Sequence, residues 1–133
     1  MSFTISNPEG MFNPSPWAFS HLATVAPGSQ LVFVAGQGGL GGPGTDFATQ
    51  CRHSIASVDQ VMQAAGGSIL DVVKFTVWIV DFDKARHQVL IDELHDRFGD
   101  RLTPTCSLIP LQRLAAEGSL IEIEAVAVLD IKE

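Results

Sequence analysis

The apolar positions change period several times along the chain, and each change marks an element. Phe47, Cys51, Ile55, Val58, Met62 and Ala65 step by four, four, three, four and three. That spacing predicts one amphipathic helix, capped by Thr45 or Asp46 and stopped at Gly66-Gly67. A second helix is predicted from Asp81 or Asp83 to Gly99, turning Ala85, Val89, Leu90, Leu94 and Phe98 inward. Between the two, Val73, Phe75, Val77 and Ile79 alternate with Lys74, Thr76, Trp78 and Val80, the period of a strand from Val72 to Val80. Further strands are predicted at Ala18 to Val25, at Gln30 to Ala35 (apolar without alternation, hence buried on both faces), at Thr105 to about Ile109 and at Leu120 to Leu129. On the last of these, Leu120, Glu122, Glu124, Val126 and Val128 share one face. Residues 1 to 17, broken by Pro8, Pro14 and Pro16, read as an irregular arm laid over a neighbouring surface.

The predicted order is β-β-α-β-α-β-β. Helices inserted between strands, with hairpin-like neighbours at both ends, argue for an α+β fold in which two helices cover one face of a mixed sheet. Residues 1–133 form a single domain on this reading. The other face keeps Phe33, Trp78 and Val126, and mean hydropathy is +0.24 with only 17% charged residues. Both features point to association with other subunits.

Charge removes one class of partner. Eight Lys and Arg stand against 15 Asp and Glu, a net −7, and no stretch gathers a basic patch, so nucleic acid is not expected. No apolar run approaches the length of a membrane span, and the first residues lack a basic and apolar leader pattern, so a cytoplasmic protein without membrane contact is expected. Two cysteines make neither a framework nor a CxxC pair, consistent with free thiols.

Four pieces of candidate chemistry remain. Gly36-Gln37-Gly38-Gly39-Leu40-Gly41 is a literal GxGxxG after a strand. A dinucleotide site would continue it into a helix, whereas Gly42-Pro43-Gly44 follows at once, and a loop from Gly36 to Gly44 near a site is the better reading. His21, His53, His87 and His95 form no ligand pattern, and His87 and His95 sit roughly 80° apart around a helix, so no metal is expected. Cys51 falls on the helical stripe and belongs to the core. Cys106 opens a strand after Thr103-Pro104, where a small buried hydrophobe and a nucleophile are both open readings. Glu122 and Glu124 sit among apolar neighbours, so at least one is expected to be partly desolvated, as a proton-transfer group requires; an exposed or ion-paired couple at a sheet edge is the alternative.

Taken in order, Leu31-Val32-Phe33-Val34-Ala35-Gly36-Gln37, Gln50, Ala64-Ala65-Gly66, Val73-Lys74-Phe75-Thr76-Val77, Asp81-Phe82, Pro104 and Ile121-Glu122-Ile123-Glu124-Ala125-Val126-Ala127 resemble the Rid family of reactive-intermediate deaminases. These are also called YjgF-like proteins and, in an older name, L-PSP endoribonucleases. The resemblance runs from about Trp17 onward. It implies a chorismate-mutase-like fold, a homotrimer with small-molecule sites in clefts between subunits, and cofactor-independent hydrolysis of enamines and imines to a carbonyl compound and ammonia. It implies Glu122 as the catalytic group that positions the attacking water. Gly36, Gln37, Ser107 and Trp17 are the implied lining of the substrate site.

One position departs from the family pattern. Where the family's deaminases carry an arginine that grips the substrate carboxylate, this chain has Cys106. A charge-assisted bond contributes about 1.5–3 kcal/mol, so its loss weakens a carboxylate-bearing substrate roughly 10- to 150-fold. The expectation is a deaminase-like hydrolase whose substrate is not the standard amino-acid-derived 2-imino acid, with Arg101 or Arg113 as possible substitute clamps. The alternative is a non-catalytic trimer that binds a small metabolite as a sensor or scaffold. Ribonuclease activity rests on the older family name alone, and the acidic charge argues against it.

Overall fold

The computed structural model describes residues 2–39 and 45–131. Leu40 to Gly44, most of the predicted glycine loop and part of the GxGxxG, lie outside the described residues. Eight elements follow in order: β1 (Phe3–Ser6), β2 (Leu22–Val25), β3 (Gln30–Gly38), α1 (Phe47–Ala64), β4 (Val72–Val80), α2 (Lys84–Phe98), β5 (Thr105–Leu111) and β6 (Ile121–Leu129). The architecture is α+β, as the periodicities imply.

β3, β6, β4 and β5 form one mixed sheet in that spatial order. β6 runs antiparallel to both neighbours, and β4 pairs parallel with β5 through the crossover helix α2, as a parallel pair requires. The elements adjacent in sequence at each end of the chain are therefore not neighbours in this sheet, contrary to the hairpin expectation. β5 continues through Pro110 to Leu111 because it is an edge strand, where the missing N–H costs no ladder bond to a further strand.

The N-terminal arm is more ordered than its prolines suggest. Phe3–Ser6 pairs antiparallel with Leu22–Val25 as a second, two-stranded sheet. The predicted strand beginning at Ala18 is interrupted: Ser15–Trp17 makes a 3-10 turn behind Pro14, and Ala18 takes a left-handed φ of 59°, which no strand tolerates. The strand resumes at Leu22, after Ser20 has bridged to Thr105.

Asp46 caps α1, its carboxylate accepting from the Thr49 amide at 2.8 Å, and Asp83 caps α2 through the Arg86 amide at 2.8 Å. Gly66, at φ +95°, supplies the left-handed residue that ends the first helix. Phe47, Cys51, Ile55, Val58 and Met62 of α1 are buried as their spacing requires, whereas Ala65 caps the helix in solvent. On α2, Leu90, Ile91, Leu94 and Phe98 are buried, and Ala85 is exposed. Both helices pack on the sheet face made by Phe75, Val77, Ile79, Ile121, Ile123, Ala125 and Ala127, which is the core.

The opposite face carries Leu31, Phe33, Lys74, Thr76, Trp78, Glu122, Glu124 and Val126. Phe33 is 74% exposed, so β3 is not buried on both faces within one chain. Val128 pairs with Leu31 and so keeps the predicted face, but it is fully buried there.

Candidate functional site

Glu122 sits near the start of β6, paired with Gly38 of β3 on one side and Trp78 of β4 on the other. The register of β3 shifts between Val34 and Gln37, a bulge that carries Gly36 beneath the Glu122 side chain. A Cβ at Gly36 would overlap the Glu122 carboxylate and lie 2.7 Å from its carboxyl carbon. The predicted loop is thus strand as far as Gly38, and its first glycine provides the space that the acid fills. Beside it, the Gln37 side-chain Nε2 donates to the Ala35 carbonyl at 2.9 Å, bracing the bulge.

The approach to β6 is fixed from inside. Gln50 of α1 is fully buried; its Nε2 donates to the Gly118 carbonyl at 3.0 Å and the Thr45 carbonyl at 3.2 Å, and its Oε1 accepts from the Leu120 amide at 2.8 Å. One side chain therefore satisfies backbone groups on the segment that leads, two residues later, to Glu122. Glu124 lies further along the same face, in a row with Thr76 and Ser107.

Cys106 points the other way. It pairs in register with Phe75, a core residue, so it faces the helices, while Ser107 faces the open side. Cys106 and Leu108 line an open-mouthed cavity of about 380 Å³ walled by Leu90 and Leu94 of α2 and by Phe12, Trp17, Ala18 and Phe19, with His87 beside them. Trp17 stands in the same wall, and Phe12 makes edge-on contacts with Trp17, Phe19 and His21. The segment is held by ring nitrogens: His95 Nε2 donates to the Ser15 carbonyl at 2.9 Å, and His21 Nε2 to the Phe12 carbonyl at 3.0 Å.

Burial pushes the Cys106 thiol up to about 12 and lowers the proton affinity of His87. At neutral pH the cavity wall therefore presents a neutral thiol and a neutral imidazole. Neither proposed clamp lines it. Arg101 lies in a separate cleft with Phe3, Ile5 and Phe98, and Arg113 lies beside Val80 and Leu120, donating to the Leu114 carbonyl at 3.3 Å.

Of the residues singled out in the sequence, the fold joins Glu122 to Gly36 and Gln37, and Cys106 to Trp17. These are two clusters on opposite faces of the sheet, and Ser107 shares the face of the first. Phe12 and Phe19 escaped the reading, and His87 was weighed only as a metal ligand; the signal for the two aromatics was the run from Phe12 to Phe19 inside a proline-rich arm. Cys51 is in the core, with its thiol likewise pushed up to about 12 by burial. Among the described residues, no three His, Cys, Asp or Glu side chains converge on a metal position, and no helix is long and apolar enough to cross a membrane.

The comparisons with known proteins agree with this fold. TdcF of Escherichia coli, provisionally named a reactive intermediate deaminase, is 36% identical over 86 residues, covering 62% of this chain and 64% of TdcF. Its crystal structure with bound serine superposes with a TM-score of 0.62 at 29% identity, over 92% of this chain and all of that one. The 2-iminobutanoate/2-iminopropanoate deaminase of Escherichia coli is 33% identical over 88 residues, again 62% of this chain and 64% of its own. The sequence match thus spans a little under two thirds of the length of these two relatives. The Rid protein YyfB of Yersinia pestis superposes with a TM-score of 0.87 at 28% identity, over 97% of this chain and all of its own. The model of the family described as endoribonuclease L-PSP matches residues 14–129. With nearly its whole length inside that match, the chain belongs to the endoribonuclease L-PSP family, known also as Rid or YjgF.

Proposed function

We propose that this protein hydrolyses the C=N bond of a small imine, or of the enamine that tautomerises to it, releasing ammonia and a carbonyl compound. The observation that carries the reading is Glu122 seated over Gly36: a half-buried carboxylate held beside a backbone bulge, on a scaffold shared with relatives named deaminases. In this reading a water donates a hydrogen bond to Glu122 and attacks the carbon of the protonated C=N group. Glu122 takes the proton that the water loses and returns it to nitrogen as ammonia leaves. The backbone around Gly36, Gln37 and Ser107 lines the reacting end.

The two clusters on opposite faces are reconciled by assembly. The protein acts as a homotrimer in which the Glu122 face of one chain and the Trp17–Cys106 edge of the next border one cleft. The exposed Phe33 and Leu31 on β3 supply the apolar contact surface such an assembly uses. Because Cys106 is neutral and neither Arg101 nor Arg113 lines its cavity, the substrate is not the standard 2-imino acid.

The test is ammonia release from imines and enamines generated in situ, with and without a carboxylate on the reacting carbon. Glu122→Gln is expected to lower turnover by about 10²- to 10⁴-fold, the usual share of a general base. A variant that turns over as fast as the parent would remove Glu122 from the chemistry. Absence of turnover on every substrate, with small-molecule affinity unaffected by Glu122→Gln, would instead support the non-catalytic binding trimer.

A further inference from the structure

The cavity beneath α2 points to the part of the substrate that the relatives' names do not describe. We infer that it receives an uncharged apolar side group, aromatic or branched aliphatic, so that the substrate is the imine of an aldehyde or ketone bearing such a group and no carboxylate. This rests on the hydrolase reading above and specifies its substrate class.

Four observations carry it. The cavity, about 380 Å³, lies within the size range of sites for small organic ligands. Its wall combines aliphatic Leu90, Leu94 and Leu108 with aromatic Phe12 and Trp17, and among the described residues no lysine or arginine lines it. Phe12 already makes edge-on contacts with its aromatic neighbours, so a further ring can join the same pattern. Its polar side-chain groups, the Trp17 indole N–H, the Cys106 thiol and the His87 imidazole, are all neutral near pH 7, so a carboxylate entering the cavity would lose water without gaining a counter-charge. A neutral C=N group with a hydrophobic substituent meets no such penalty. The step remains balanced: R–CH=NH and water give R–CHO and ammonia. Imines of this kind are the products of amine oxidation, which is therefore the class of reaction that must supply the substrate.

The test uses the assembled protein and two probes that differ only by a carboxylate, 2-phenylethanol and 3-phenyllactate, titrated by calorimetry. The neutral probe is expected to bind at least about tenfold more tightly, since an unpaired buried carboxylate is strongly disfavoured. Trp17→Ala and Phe12→Ala are expected to weaken it several-fold. Both side chains are about half exposed, at 49% and 59%, so the fold survives their loss. Equal or tighter binding of 3-phenyllactate, no binding of 2-phenylethanol, or binding unchanged in both variants would overturn the inference.

Turnover then separates this claim from the reaction itself. The imine made in situ by oxidising 2-phenylethylamine is expected to be hydrolysed faster than 2-imino-3-phenylpropanoate. If release of ammonia depends on Glu122 but favours the carboxylate-bearing imine, the hydrolase reading stands and the substrate class falls. If the neutral probe binds as expected and no imine is turned over, the ligand class stands and the hydrolase reading falls.

Discussion

The carboxylate of Glu122 occupies the space that a side chain at Gly36 would need. The acid is therefore placed by an absence on the neighbouring strand, and its position is tied to the bulge between Val34 and Gln37. Gly36→Ala is expected to push Glu122 off that seat. The change costs about 1–3 kcal/mol through overpacking. Because the acid itself is displaced, the loss of imine hydrolysis is expected to exceed what partial unfolding explains. Thermal melting and turnover measured on the same sample check this; full activity at reduced stability would show that the seat does not matter to the chemistry.

Gln50 governs the same acid from the core side. Gln50→Leu keeps the volume but strands the Leu120 amide and the Gly118 carbonyl, and a buried polar group left unpaired costs about 1–3 kcal/mol. A total destabilisation of about 2–5 kcal/mol is expected in urea unfolding. Gln50→Glu retains an acceptor for Leu120 but turns a carboxylate oxygen toward the Gly118 and Thr45 carbonyls, and is expected to destabilise at least as much as Leu at neutral pH.

Much of this was legible in the chain. Val72 to Val80 alternates so regularly that its bounds match the structure, and the four-and-three stepping of Phe47 to Met62 located α1 and its buried stripe. The first strand was not legible, because Phe3-Thr4-Ile5-Ser6 is short and finds its partner about twenty residues away; only tertiary pairing with Leu22–Val25 makes it a strand. The left-handed turn at Ala18 has no glycine or asparagine to announce it. At the site, Glu122 was identifiable from its motif, but the sidedness of Cys106 depended on the β4–β5 register. That register places it with Phe75 and away from Glu122.

Phe33 tests the assembly. At 74% exposure, with Leu31 exposed and Val126 half-buried on the same face, it presents more apolar surface than a monomer of this size needs. Phe33→Asp places a charge in that surface and is expected to convert the proposed trimer to 14.3-kDa monomers in sedimentation velocity, with the helical content retained. Imine hydrolysis is expected to disappear with that assembly, since the proposed cleft is bordered by two chains. An active monomer would place the whole site within one chain.

The two thiols make a prediction about alkaline pH. Burial raises Cys51 and Cys106 from 9.0 to about 12 in the folded chain, while the unfolded chain ionises them near the ordinary value. Below pH 9 both states hold the proton and the stabilisation is fully present. From pH 9 upward the unfolded state loses its protons first, so the native state is progressively disfavoured until about pH 12. The loss approaches a few kcal/mol per thiol, on the order of 1.4 kcal/mol per unit of difference. Urea midpoints measured from pH 7 to 11 are expected to fall above pH 9, and Cys106→Ala to flatten part of that fall. The same protonated thiols are expected to react slowly with iodoacetamide at pH 7.5 in the native protein and readily in urea. Rapid native alkylation of Cys106 would mean an accessible thiolate, and with it a nucleophile in the cavity where the structure places a neutral wall.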